Sequence, residues 1–213
     1  MTKDQIISKY KTHILENGQE PASVYALAKA LKTTEKAIYE HFNSFQQMES
    51  EVWKDTFKKT IESIRQEEVY ATYSVREKML SFYFTWIETL KEDRSFILLS
   101  ISKWPRPIAM KKNPVLAESA IFFKDYMNEL LMEGRETREI EQRPIPQLMN
   151  KYPDMLWMQT LTILEFWAND YSKAFEKTDT LIEKYVNTSL DWMGRSPLDS
   201  LFDLGKFLYQ NRK

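Results

Sequence analysis

Between Ala22 and Trp104 the chain contains neither proline nor glycine. Those residues punctuate regular structure most strongly, proline by removing a backbone donor and glycine by its conformational freedom. So long a stretch without either must form extended regular elements, and the spacing of apolar residues decides which kind. Ile6, Ile7, Tyr10 and Ile14, then Trp53, Phe57, Ile61 and Ile64, then Met79, Leu80, Tyr83, Trp86, Ile87 and Leu90 recur every three to four residues. That is the period of an amphipathic helix, and alternation of period two is sustained nowhere. Capping boxes read at Thr2/Gln5, Ser44/Gln47, Ser74/Glu77 and Thr180/Glu183, each ahead of an apolar run. The chain is therefore expected to be all-α, with helices at about 3–17, 24–31, 34–42, 45–68, 74–91, 93–102, 114–136, 154–174, 179–194 and 198–209. From Arg135 to Pro153, charges followed by Pro144, Pro146 and Pro153 predict a long irregular connection.

Composition removes several function classes. With no cysteine there is neither a disulfide framework nor a thiolate metal site or nucleophile, as suits a reducing cytoplasm. The longest charge-free run, Met155 to Leu164, is about half of what a membrane span needs, and the polar start Met1-Thr-Lys-Asp-Gln carries no secretion signal, so a cytoplasmic location is expected. The four glycines, at 18, 134, 194 and 205, are too far apart to build a phosphate-cradling loop or a nucleophile elbow. Only His13 and His41 are present, too few for a histidine-based zinc or di-iron site. The clustered Glu133, Glu136, Glu139 and Glu141 read as solvated charge. No catalytic constellation is visible, so no enzyme and no cofactor is expected.

The first fifty residues carry the most specific pattern. Three short helices are predicted, with only Lys32-Thr33 between the second and third, the geometry of a helix-turn-helix. Val24, Leu27, Ala28, Leu31, Ile38 and Phe42 would face inward, and Thr34 would cap the third helix. The segments Ser23-Val-Tyr-Ala-Leu-Ala-Lys-Ala30 and Thr34-Glu-Lys-Ala-Ile-Tyr-Glu-His-Phe-Asn-Ser44, with Gly18 ahead of them, resemble the DNA-binding signature of tetracycline-repressor-type (TetR-family) regulators. The resemblance covers about residues 3–55, and Ile38-Tyr-Glu-His-Phe42 is its most specific part.

It implies an N-terminal three-helix DNA-binding domain, residues 1–48, followed by a helical effector-binding and dimerisation domain, residues 49–213. By position it implies DNA contacts from Ser23, Tyr25, Lys32, Thr34, Lys36, Ala37, Tyr39 and His41, with Ser23 and the start of its helix meeting a phosphate. Four positions depart from the family pattern: Lys32 stands at the turn glycine, Lys36 at the glycine of the recognition helix, Ala37 at the following threonine, and Phe45 at a phosphate-binding lysine. Residues 1–50 also balance six lysines against six acids. Phosphate neutralisation supplies much of DNA affinity, so a neutral head predicts weak binding unless Lys29, Lys32 and Lys36 share one face and the protein dimerises.

The C-terminal part is rich in large apolar residues. The predicted helix at 154–174 is apolar on nearly all sides and must be covered on more than one face. With the next helix it suggests an isologous homodimer through Trp157, Leu161, Leu164, Ile182, Tyr185, Val186, Leu190 and Met193, which would set two recognition helices one DNA turn apart on a pseudo-palindromic duplex. An intramolecular core is the alternative. Phe82, Trp86, Trp104, Phe122, Tyr126 and Trp157 are candidates for a small apolar effector's pocket, and equally for core filling. The family resemblance implies that such an effector shifts the population of DNA-competent heads, with repression as the default. A helical lipid- or isoprenoid-binding protein with a degenerate DNA reader is the competing reading. The basic stretch Lys103, Arg106, Lys111 and Lys112 reads as a solvated loop.

Overall fold

The computed structural model describes residues 1–104, 112–141 and 150–194. Within them lie nine α-helices: α1 (Lys3–Asn17), α2 (Val24–Ala30), α3 (Glu35–Tyr39), α4 (Phe45–Arg65), α5 (Val75–Glu92), α6 (Arg94–Ser102), α7 (Ala117–Glu136), α8 (Tyr152–Ala168) and α9 (Glu176–Met193). Three 3₁₀ turns join them, and the described residues contain no strand. No described helix is long and apolar enough to cross a membrane. The predicted helix at 198–209, the prolines at 144 and 146, and Arg106 and Lys111 lie outside the described residues.

Local signals account for most helix starts. The Thr2 hydroxyl accepts from Gln5 N while the Gln5 side chain accepts from Thr2 N, closing the capping box of α1. Its other end stops at Gly18, whose left-handed backbone (φ 69°) returns its N–H to the Ile14 carbonyl at 2.8 Å. Ser44 caps α4 through Gln47 N, but the Gln47 side chain reaches past it to Asn43 N, so the box is displaced by one residue. At α5, Glu77 accepts from both the backbone and the hydroxyl of Ser74.

The chain divides into two compact units. Unit 1 comprises Met1–Gln66 and Thr85–Phe123. In it α1 buries Ile6, Tyr10 and Ile14, while α4 buries Trp53, Phe57, Ile61 and Ile64, the predicted stripe. Phe57 packs on Trp86 at 4.9 Å between ring centroids and on Phe123 at 6.0 Å. Each such ring removed from water contributes about 1.5–3 kcal/mol. Unit 2 comprises Glu67–Phe84 and the chain from Lys124 onward. There α8 and α9 run antiparallel: Tyr152 at the start of α8 meets Trp192 near the end of α9, and the Ser189 hydroxyl donates to Gln159 at 2.6 Å.

Several expectations are corrected. The helix predicted at 154–174 ends at Ala168, and the next begins at Glu176 rather than 179. Thr180 therefore lies inside α9, its hydroxyl donating to the Glu176 carbonyl, and the Thr180/Glu183 box does not exist. The start of α9 is capped from upstream: the Asp170 carboxylate accepts from Ser172 N, Thr178 N and the Thr178 hydroxyl. Bringing Asp170 into place puts Ala174 (φ 52°) and Phe175 (φ 63°) in the left-handed region, an unfavourable conformation that a periodicity argument does not foresee. Of the four glutamates read as solvated charge, Glu136 and Glu141 are exposed, but Glu133 and Glu139 have partners. Glu139 accepts from Val75 N at 3.1 Å, capping α5, and Glu133 pairs with the buried Lys78 at 2.6 Å.

Burial alone would raise the Asp170 carboxyl, but the hydrogen bonds from Thr178 and Ser172 outweigh it and hold its pKa at about 2. A depressed folded-state pKa stabilises above the ordinary aspartate range and is lost as pH falls toward 2. Asp170→Asn is expected to lower the thermal midpoint at neutral pH by about 2–8 °C. It should also flatten the stability profile between about pH 4 and 2, measured by thermal denaturation across that range.

Candidate DNA-reading head

Helices α2 and α3 form the expected pair. Ser23 caps α2 by accepting from Ala26 N at 3.1 Å, and Thr34 caps α3 by accepting from Ala37 N at 3.3 Å. Between them the chain closes a Schellman turn: Thr33 N donates to the Ala28 carbonyl at 2.9 Å and Lys32 N to the Lys29 carbonyl at 3.2 Å. Lys32 occupies the left-handed position of this turn (φ 52°), where a glycine would be unstrained. The turn is therefore kept although its glycine is not.

Burial sorts the side chains into two faces. Leu27, Ala28, Leu31, Ile38 and Phe42 are buried, as expected, and Val24 is half-buried. Ser23, Lys32, Thr34, Lys36 and His41 are exposed and Ala37 is half-exposed. Tyr25 and Tyr39 are 63% and 48% exposed, unusually open for aromatic side chains. Lys29 is exposed as well, so three lysines stand on α2, the turn and α3. α3 is shorter than expected, ending at Tyr39. His41 follows in a turn, with Nε2 donating to the Met1 carbonyl at 3.1 Å.

The Phe45 departure has a structural use. Its ring stacks on Tyr10 at 5.7 Å with an interplanar angle of 11°, and Tyr10 meets Phe96 of α6 edge-on at 6.4 Å. A residue that would bind phosphate in the family pattern here ties the start of α4 to α1. Two ion pairs, Lys11 with Asp93 at 2.5 Å and Lys103 with Glu20 at 3.1 Å, tie α1 and the segment after it to the two ends of α6.

The residues expected to bind an effector are well packed. In unit 1, Trp86 lies on Phe57 and donates Nε1 to the Thr56 hydroxyl at 3.3 Å, the half-buried Trp104 lies on Trp53 at 4.9 Å, and Phe122 is half-buried. In unit 2, Phe82 contacts Tyr126 at 5.4 Å, the Tyr126 hydroxyl bonds that of Tyr70 at 2.7 Å, and Trp157 is buried. A surface groove of about 560 Å³ in unit 2 is lined instead by residues such as Phe166, Asn169, Tyr171 and Lys177.

The expected dimer residues are mostly covered within a single chain. Trp157, Leu161, Leu164, Ile182, Val186, Leu190 and Met193 are only 0–4% exposed within a single chain, and Tyr185 is half-buried. Side chains already covered by their own chain have no area left for a partner. The uncovered face of α8 is Met155, Met158, Thr162 and Phe166, spaced as one helical stripe; Met155 and Phe166 are 42% and 39% exposed. Periodicity could locate the apolar stripes but not say which neighbour covers each. Among the described residues no group of three or more acidic or histidine side chains is placed to hold a metal ion.

Comparison with known proteins agrees with this architecture. Residues 78–208, more than half of the chain, match the family model described as the tetracyclin repressor-like C-terminal domain. Among solved structures, the fatty acid degradation regulator FadR from Bacillus halodurans shares the fold with a TM-score of 0.59, covering 88% of this chain and 94% of its own at 21% identity. The TetR-family regulator PfmR from Thermus thermophilus gives 0.48 and 17% identity over 92% and 98% of the two chains. No curated protein sequence matches significantly. The chain belongs to the TetR family of DNA-binding transcriptional regulators.

Lys32 allows the strain of the turn to be measured apart from the DNA contact that the family resemblance implies. Lys32→Gly is expected to raise stability by about 0.5–1 kcal/mol, by relieving the left-handed backbone, in chemical denaturation. The same change should weaken DNA binding and reduce the salt dependence by about one phosphate contact in a salt titration.

Proposed function

We propose that this protein is a homodimeric repressor: residues 1–48 read a pseudo-palindromic operator, and residues 49–213 dimerise and bind a small hydrophobic effector. The observation that carries the proposal is the exposure of Tyr25, Lys29, Lys32, Lys36 and Tyr39 on α2, the turn and α3, whose apolar residues Leu27, Ala28, Leu31 and Ile38 are buried. Tyr39, Lys36 and Tyr25 offer an aromatic and cationic surface to a major groove, while Ser23 and Thr34 can turn their hydroxyl protons to phosphate oxygens, since each cap bond uses the oxygen only as an acceptor. Ala37, near the start of α3, is assigned an apolar contact with a thymine methyl group, and His41, in the turn after α3, a contact beside the helix end.

FadR of Bacillus halodurans regulates fatty acid degradation. For the present chain, an apolar effector is proposed on aromatic residues of unit 2, Phe82, Tyr126 and Trp157, which would have to part to admit it. The dimer face we assign to α8 is the stripe Met155, Met158, Thr162 and Phe166.

Selection from random duplex DNA at low and moderate salt, followed by sequencing, is expected to return a palindrome with half-sites about one turn apart. Tyr39→Ala and Lys36→Ala should each weaken that binding by about 1–2 kcal/mol, roughly 5- to 30-fold, without unfolding the protein. Enrichment of nothing even at low salt would favour a lipid-binding protein with a degenerate reader. Phe166→Glu should give folded monomers in sedimentation, whereas Val186→Glu should unfold the chain by burying an unpaired charge; a folded Phe166→Glu dimer would put the interface elsewhere.

A further inference from the structure

We propose that Glu49 is a proton-operated latch holding the first turns of α4 against α6. Glu49 is only 6% exposed, and it lies five residues after Ser44, the cap that starts α4 directly behind the helix-turn-helix. One hydroxyl reaches it: Ser100 of α6, itself buried, donates to Glu49 Oε1 while accepting from Trp53 Nε1 at 2.9 Å. Trp53 is fully buried and its ring is covered by Trp104. The carboxyl group is thus the end of a buried three-member chain, Trp53 to Ser100 to Glu49, which spans α4 and α6.

Few groups oppose its charge. Tyr10 of α1 and Glu20 of the segment after α1 face it, and Lys103, just past α6, is the cation within range. That ammonium already serves Glu20 at 3.1 Å. Burial pushes the Glu49 carboxyl above its ordinary range; Ser100 and Lys103 pull it back, and Glu20 pushes it up again, leaving a net rise.

The sign follows from this upward displacement. The folded joint holds the proton more tightly than the unfolded chain does. The contribution to stability is full below the ordinary glutamate value of 4.5 and is lost as pH rises through the folded-state value. A protonated Glu49 closes the joint, and ionisation places an under-compensated charge in it and loosens it. Because α4 follows the recognition helix after a five-residue turn, the firmness of this joint governs how the head is held. That last step rests on the function proposed above; the latch itself rests on unit 1 alone.

The test uses the full-length protein, Glu49→Gln and Ser100→Ala, with thermal midpoints and hydrogen exchange of residues 94–102 followed from pH 5 to 8. The wild-type midpoint is expected to fall relative to Glu49→Gln as pH rises, by about 2–4 °C over the range. Protection of α6, corrected for intrinsic exchange, should fall in parallel. Ser100→Ala removes a donor to the carboxylate and should move the transition to higher pH. A wild-type offset from Glu49→Gln that is constant with pH would overturn the latch. So would a Ser100→Ala effect that lowers the midpoint equally at every pH, and this arm decides alone if Glu49→Gln does not fold. With DNA that the protein retains, wild-type affinity should change by about tenfold over the same range and that of Glu49→Gln by less than about twofold. A protein that binds no DNA at any pH would overturn the regulator reading, while the stability and exchange measurements still decide the latch.

Discussion

Trp53 is buried completely on the helix that leaves the DNA-reading head, and its indole N–H needs an acceptor. Leaving that donor unsatisfied would cost about 1–3 kcal/mol. Ser100 supplies the acceptor from α6, and its own proton goes to Glu49 one turn back on α4. The apolar packing of α4 on its neighbours tolerates small shifts, but this chain of donors and acceptors does not. Moving α6 by one helical turn would orphan the indole, the hydroxyl and the carboxyl together, so the register of unit 1 is set here.

The head itself shows an exchange between anchoring and charge. Its net charge is zero, and where the family pattern has a phosphate-binding lysine it has Phe45, stacked on Tyr10. Tyr10 in turn meets Phe96 of α6. At that position the ring supplies packing between α1, the start of α4 and α6. At Lys32 and Lys36 the exchange runs the other way, since glycines of the family pattern are replaced by cations and Lys32 accepts a strained backbone. Redistribution of charge from the neck of the head to its outer face is the net result.

Much of this is legible in the sequence. Cap residues and the three-to-four spacing locate the helices up to Ser102 with small errors, because local hydrogen bonds and one-sided burial act within a few residues of their cause. The two faces of the head follow from the same spacing. What is not legible depends on distant partners. Asp170 caps a helix that starts six residues later, Glu139 caps the start of α5 from across unit 2, and the apolar residues of α9 are already covered within their own chain. The Ser100 hydroxyl could not be assigned to Glu49 from a sequence in which the two lie 51 positions apart. The strained pair Ala174 and Phe175 carries no signal either, since neither is a residue that favours the left-handed region.

Two buried carboxylates in this chain show why such partners decide function. Asp170 and Glu49 are similarly enclosed, 4% and 6% exposed, and burial works against the charge of each. Asp170 receives two backbone N–H groups and a hydroxyl at 2.7–2.9 Å, held by a helix start whose positive end adds to the attraction. Its charge is over-compensated and it remains ionised in acid. Glu49 receives one hydroxyl, already shared with an indole, and a lysine engaged elsewhere. Its charge is under-compensated. The first arrangement can only fasten, because no physiological change of pH alters it; in the second, burial raises the carboxyl above its ordinary range and a single shared hydroxyl and an engaged lysine only partly offset that.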